Sequence, residues 1–138
     1  MNDSIVPGAL QALVSNDPER ISAVFAEDAE WLSPPGNAVA RALGAPHHMV
    51  GSAAIARFFT ADLPRLFARD LGFSLLGVHT DGERATVEAT VTATLPDGSP
   101  FSNAYCFVFE LRDGLVHRVR EYTDTARAHR LLAGEASP

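Results

Sequence analysis

The stretch Phe101-Ser102-Asn103-Ala104-Tyr105-Cys106-Phe107-Val108-Phe109-Glu110-Leu111, the link Arg112-Asp113-Gly114, and Leu115-Val116-His117-Arg118-Val119-Arg120-Glu121-Tyr122-Thr123-Asp124 decide how this chain reads. In the first part large rings recur at Phe101, Tyr105, Phe107 and Phe109, interrupted by Asn103. Strand side chains alternate between two faces, so these residues share one. In the last part Leu115, His117, Val119, Glu121 and Thr123 share a face by the same rule. A carboxylate and an amide among rings point to a pocket wall. Plain packing gives no reason to desolvate such groups, which costs about 1–3 kcal/mol each when they are unpaired.

Upstream the same period continues. Phe73 to His79, Arg84 to Leu95, Phe101 to Leu111 and Leu115 to Thr123 read as four strands, joined through Asp81-Gly82, Asp97-Gly98 and Asp113-Gly114. The first half is helical. Leu10, Leu13 and Val14 fall at helical spacing, and Asp17-Pro18-Glu19-Arg20 is a helix start leading into Ile21, Val24 and Phe25. That helix is expected to end near Glu27-Asp28, before a strand at Glu30-Trp31-Leu32. Pro34 to Val50 has no clear period and reads as a long loop, with room for one short strand and the length of a lid. Ser52 is a candidate cap for a helix burying Ile55, Phe58, Phe59, Leu63, Leu66 and Phe67, with Pro64 as a kink or second start. Ala126 to Leu132 suits a terminal helical turn, which Asp124 can cap, and Gly134 to Pro138 is expected to fray.

The turns propose a register. A three-residue loop ending in Gly114 pairs Leu111 with Leu115, and hence Tyr105 with Glu121, Phe107 with Val119 and Asn103 with Thr123. A two-residue loop at Asp97-Gly98 sets Glu88 opposite Phe107, Thr90 opposite Tyr105 and Thr92 opposite Asn103. One face then collects Glu88, Thr90, Thr92, Asn103, Tyr105, Phe107, Phe109, His117, Val119 and Glu121. The other collects Val87, Ala89, Val91, Ala93, Ala104, Cys106, Val108 and Val116, with Arg118, Arg120 and Tyr122. The first suits a ligand cavity and the small-residue face suits a second subunit. A slip of one residue would exchange the faces of Glu88 and Thr90.

The whole chain, residues 1–138, reads as one domain with a core over about 5–126 and a tail over 127–138. Seventeen acidic against eleven basic residues give a net charge of −6, which argues against nucleic acid as the main partner. The single cysteine, Cys106, excludes an intrachain disulfide and fits a reducing compartment. No run approaches the roughly 20 apolar residues of a membrane span, and Met1-Asn2-Asp3-Ser4 does not open a secretory signal, so a cytoplasmic protein is expected. His47-His48 and the other His, Cys and Asp residues lack metal-site spacing. No Gly-rich phosphate loop or Gly-x-Ser-x-Gly elbow occurs. Neither a metal nor a cofactor is expected.

Three segments together carry a family resemblance: Phe25-Ala26-Glu27-Asp28-Ala29-Glu30-Trp31, Gly51-Ser52-Ala53-Ala54-Ile55, and Val116 to Asp124. They resemble the nuclear-transport-factor-2-like superfamily, in its SnoaL-like, ketosteroid-isomerase-like branch. The resemblance implies an α+β fold of cystatin-like type: a cone-shaped roll of a curved, mainly antiparallel sheet packed on three helices from the N-terminal half, usually dimeric. It also allows the superfamily's chemistries to be compared position by position. Where ketosteroid isomerases carry a basic aspartate, a tyrosine and a second aspartate, this chain has Ser33, a position near Ala9, and one near Phe107. Where limonene epoxide hydrolases carry an Asp-Arg-Asp set, it has Thr90, Glu88 and Glu121. SnoaL-type cyclases use an acidic residue in the cavity, which no single position here matches uniquely.

The expected function is small-molecule binding in an apolar conical pocket. It extends to a cofactor-independent isomerase, cyclase or hydrolase (hydratase) acting by proton transfer on a steroid-, terpene- or polyketide-like, oxygen-bearing molecule. The alternative is a non-catalytic ligand-binding or interaction module on the same fold. The catalytic candidates are Glu121, whose pKa a largely apolar pocket would raise, Tyr105 as its orienter, and Glu88 as a second acid. Trp31, Asn103, Thr90, Phe107, Val119 and Phe59 are the candidate ligand contacts. Each has a plainer reading: Glu121 paired with a nearby arginine, Glu88 on a solvated threonine stripe, Tyr105, Trp31 and the other rings as core. A homodimer through the convex sheet face is the expected assembly.

Overall fold

In the computed structural model, which describes residues 2–134, the chain is a mixed six-stranded sheet with helices on its concave side. Helices α1 (Asn2–Leu13) and α2 (Pro18–Val24) lead into β1 (Phe25–Leu32). They are followed by α3 (Ala38–Leu43), β2 (His48–Val50) and α4 (Ser52–Arg57). A π-helical turn (Phe58–Asp62) and a 3-10 turn (Leu63–Arg65) continue α4. Four long strands follow, β3 (Arg69–Asp81), β4 (Arg84–Thr94), β5 (Pro100–Arg112) and β6 (Leu115–Thr123), before α5 (Thr125–Leu132). The spatial order is β2-β1-β6-β5-β4-β3, antiparallel except where β1 lies parallel to β6. Of the tail expected to fray, Gly134 to Pro138, residues 135–138 lie outside the described residues.

Local chemistry explains the starts and stops. Asp17 accepts from the backbone N–H of Glu19 and Arg20, and Pro18 opens α2. Asp124 caps α5 by accepting from Arg127 N at 3.0 Å. Of the boundaries that differ from the reading above, three bear on the site. Helix α2 stops at Val24, so Phe25 begins a strand of eight residues instead of closing the helix. Gly51, at φ +100°, precedes α4, and no side-chain cap is made, so Ser52 is not the cap. The segment 34–50 holds a helix: Asn37 caps α3 through Ala40 N, and Gly44 closes it in the left-handed region.

The register corrects the expected faces. Leu95-Pro96-Asp97-Gly98 forms a turn in which Gly98 N–H donates to Leu95 O, and Leu95 then pairs with Ser99 around a three-residue loop. Pro96 explains it: its ring holds φ near −65°, which suits the first corner of this turn, and Gly98 takes the left-handed position at φ +88°. The last hairpin does the reverse. Arg112 pairs with Leu115 across two residues, Asp113 and Gly114, both at positive φ. The two loops thus have exchanged lengths relative to expectation. Val87 faces Phe107, Ala89 faces Tyr105 and Val91 faces Asn103; Phe107 lies opposite Glu121 and Tyr105 opposite Thr123.

Glu88, Thr90 and Thr92 therefore point outward from the convex side, and the buried side chains Ala85, Val87, Ala89, Val91 and Ala93 take their place in the core. In β6 the register shifts between its pairings with Glu110 and Leu111, leaving His117 as the extra residue of a bulge. Val116 and Val119 both become fully buried, Glu121 stays on the concave side, and Arg118, Arg120 and Tyr122 stay outside. One core unites the concave face with the apolar sides of the helices, including Val6, Leu10, Leu13, Ile21 and Ile55.

Candidate functional site

Between the sheet and its helical cover lies a cavity whose wall is mostly apolar. The sheet contributes Trp31 from β1, Phe73 from β3, Val91 from β4, Tyr105 and Phe107 from β5, and Glu121 from β6. The π-helical turn contributes Phe58 and Phe59; its wider ring, closed by Leu63 N–H on Phe58 O, sets the two phenylalanines edge to face, 5.3 Å apart between centroids. Ser33, Asn37, Val39, Ala40, Pro46 and Met49 close the end formed by α3 and β2. About 60 Å³ of free space remains, room for only a few water molecules.

The closing segment is tied down. Asn37, nearly buried, donates through Nδ2 to Ser33 Oγ and Pro34 O and accepts from Ala40 N, while Ser33 Oγ donates to His47 O. A helix and a bridging strand fixed in this way make a wall, in a stretch expected to be loop.

Glu121 is the one charged side chain on the cavity wall among the described residues. Its Oε1 accepts from Trp31 Nε1 at 3.0 Å. No described side chain or backbone group hydrogen-bonds Oε2, that atom is not among the fully enclosed ones, and Glu121 lines the cavity. Being surrounded by protein pushes the Glu121 carboxyl up to about 7, and the Trp31 hydrogen bond holds back a further rise. Tyr105, stacked on Phe107 at 5.4 Å, has its hydroxyl pushed well above the usual tyrosine range. Burial is the larger cause and the negative charge of Glu121 the second, with a hydrogen bond to Thr123 acting against both. The hydroxyl stays neutral at physiological pH and can donate a hydrogen bond.

Of the residues singled out from sequence, the structure brings Glu121, Tyr105, Trp31, Phe107 and Phe59 to this cavity. It does not bring the others. Glu88 is exposed and Thr90 half-buried on the opposite face, for the reason set by Pro96. Asn103 is buried but spoken for: Nδ2 donates to Thr123 Oγ1 and to Asp124 O, and Oδ1 accepts from Ala104 N. It ties the end of β6 to β5 and does not line the cavity. Val119, fully buried, lies in the core and not on the cavity wall.

The residues not singled out are chiefly those of the closing wall, Asn37, Val39, Ala40, Pro46 and Met49, together with Val91 and Phe73. Asn37 and Gly44 bracketing Ala-Val-Ala-Arg-Ala-Leu were a signal for the helix that positions them. The described residues hold no cluster of three or more His, Cys, Asp or Glu able to bind a metal ion.

Comparisons with known proteins agree with this geometry. A family model described as a SnoaL-like domain matches residues 7–119. Among solved structures, TerC co-crystallised with polyporic acid superimposes with a TM-score of 0.82 at 23% identity, covering 96% of this chain and 98% of that one. A protein of unknown function from Burkholderia pseudomallei, with a nuclear-transport-factor-2-like fold, gives 0.80 at 21% identity over 95% and 96%. An epoxide hydrolase from M. tuberculosis, similar to the limonene epoxide hydrolases, gives 0.74 at 19% identity over 95% and 88%. A search of curated protein sequences found no significant match. The cone of curved sheet and helices is thus the nuclear-transport-factor-2-like fold, and the chain belongs to the SnoaL-like domain family.

Proposed function

We propose that this protein binds an uncharged, apolar, oxygen-bearing small molecule in its cavity and catalyses cofactor-free proton transfer on it, with Glu121 as the acid/base. The observation that carries the reading is a carboxyl on the wall of an aromatic cavity, with one oxygen that no described group hydrogen-bonds and a proton affinity near neutrality. As the carboxylate, Glu121 takes a proton from a carbon beside an oxygenated centre of the ligand. As the acid it returns that proton to another atom of the same molecule. Isomerisation and cyclisation balance in this way without a co-reactant, whereas hydration adds one water. Tyr105 supplies a neutral hydroxyl toward the ligand's oxygen. No lysine, arginine or histidine lines the cavity among the described residues, so a ligand anion would meet no counter-charge.

The neighbours support the reading by analogy: TerC was crystallised with polyporic acid, and the M. tuberculosis protein is an epoxide hydrolase. The test is solvent deuterium exchange into bound ligands from a steroid, terpene and polyketide-like panel, with polyporic acid included. Glu121→Gln is expected to lower exchange by about 10²–10⁴-fold while binding persists. Wild-type exchange in that variant removes Glu121 from the mechanism. The second reading, a ligand-binding or interaction module without chemistry, draws on Ser33 and on the positions near Ala9 and near Phe107, where the resemblance puts the reacting groups of isomerases and this chain lacks them. Binding without exchange in the wild type would select it.

A homodimer through the convex face belongs to the same proposal. Ala104, Cys106 and Val108 run along that face, and Tyr122 beside them is 53% exposed. A monomer in sedimentation at tens of micromolar would remove it. The cytoplasm suits the free thiol of Cys106.

A further inference from the structure

We propose that Trp31 is a positioning residue: its indole N–H, by holding Oε1 of Glu121, fixes the carboxyl group and leaves Oε2 as the atom that exchanges a proton with the ligand. The assignment deepens the acid/base reading of Glu121 and rests on it, but its first readout does not depend on turnover.

The argument starts in the sheet. Strands β1 and β6 run parallel with Trp31 beside Val119, so Trp31 and Glu121, two residues further along β6, emerge on the same concave side. The indole is 3% exposed and is held by three rings: Phe59 at 5.2 Å and 62°, Phe107 at 6.0 Å and 66°, and Phe25 at 6.3 Å and 51°. Rings on this many sides restrict both side-chain torsions, so the N–H direction is set before any ligand arrives. A buried tryptophan serving only as core needs some acceptor for its N–H, and a backbone carbonyl is the common choice. Here the acceptor is the carboxylate that borders the cavity. A donor aimed at the ionised form favours that form, which opposes the burial that pushes the carboxyl up.

Few other groups act on this carboxyl. On β5 the titratable neighbour is Tyr105, one pair removed from Phe107, the partner of Glu121, and its hydroxyl stays neutral. Described wall residues from β1, β3, β4, α3, β2 and the helical turns contribute no further titratable or charged side chain. Removing the indole N–H therefore removes the main interaction favouring the charged form.

The test replaces Trp31 with 3-benzothienylalanine, in which sulfur stands for the N–H and the bicyclic shape is kept, and in parallel makes Trp31→Phe. The Glu121 carboxyl is followed by carbon-13 NMR across pH, identified by the resonance that Glu121→Gln lacks. Its titration midpoint is expected to rise by about 1–2 units in the sulfur analogue, the worth of one hydrogen bond to a charged group. An unchanged midpoint in the analogue overturns the proposal, whatever Trp31→Phe does to folding. Where exchange of a bound ligand is measurable, the pH–rate limb should move alkaline by the same amount as the midpoint. A moved midpoint with an unmoved limb upholds Trp31 as the holder of the carboxyl and removes Glu121 from the chemistry, which separates the two claims.

Discussion

Glu30 and Glu121 are the same side chain on opposite sides of one sheet, and their environments drive them in opposite directions. Glu30 lies on the convex side, where Arg118 donates to Oε2 at 2.8 Å and His48 Nε2 lies 2.8 Å from Oε1. Those partners, Arg118 first, hold its carboxyl below the usual range. Arg118 and Arg120 also meet Glu110 there, so acids and bases interleave in one partly solvated network. Glu121, on the concave side, has a neutral indole as its hydrogen-bond donor, and burial raises it to about 7. Adjacent residues carry the contrast: Glu30 points to the network and Trp31 to the cavity. A charge that finds counter-charges supports the fold, while one that finds only dipoles is left poised to react.

The contrast can be broken most directly at Glu121. Its proton affinity is higher in the folded state than in the unfolded chain, so the protonated form carries the stabilisation. That contribution is whole below about 4.5 and is lost as pH rises through about 7. Glu121→Gln should therefore be more stable than wild type at pH 8, by up to about 3 kcal/mol, with the gap closing toward pH 4.5. Urea unfolding at the two pH values measures it, and a gap that ignores pH would mean that Glu121 is solvated after all.

Asn103→Ala comes next, with an expected loss of about 1–3 kcal/mol at any pH, because Thr123 and Asp124 lose a buried donor. A loss under about 0.5 kcal/mol in denaturant melts would show water replacing the amide. Glu30→Gln should lower the melting temperature slightly, an effect that fades in 1 M salt as expected for a solvent-screened pair. Smallest of all, Glu88→Gln should leave ligand binding and exchange within about twofold of wild type, since it lies outside the cone. A large effect there would reopen the register.

Much of this was legible in the chain. The alternation of β5 and the place of Glu121 beside its rings follow from a period of two, and a change of register by two residues leaves the side chains of β5 and of β6 beyond the bulge on their own sides, whereas Val116, before it, turns inward instead of outward. The fate of Glu88 was harder, because one residue of loop length reverses a strand. The deciding letter was Pro96: with φ held negative it suits the first corner of a three-residue loop, and at that corner its missing N–H costs no ladder bond. The helix at Ala38–Leu43 was obscured by the prolines and glycines around it, although Asn37 and Gly44 mark its ends. The Trp31–Glu121 bond could not be read at all. It joins residues 90 apart across the parallel pairing of β1 with β6, which no local pattern announces.

The extra residue at His117 has a consequence for inheritance. Past that point β6 is one step out of phase with its own beginning, which is why Val116 and Val119 both face inward. Deleting this codon would remove the bulge and leave a regular strand, with Val116, Val119 and Glu121 still turned inward and Arg118 and Arg120 still outward. A gene could thus lose or gain these three nucleotides without changing which side chains line the hollow.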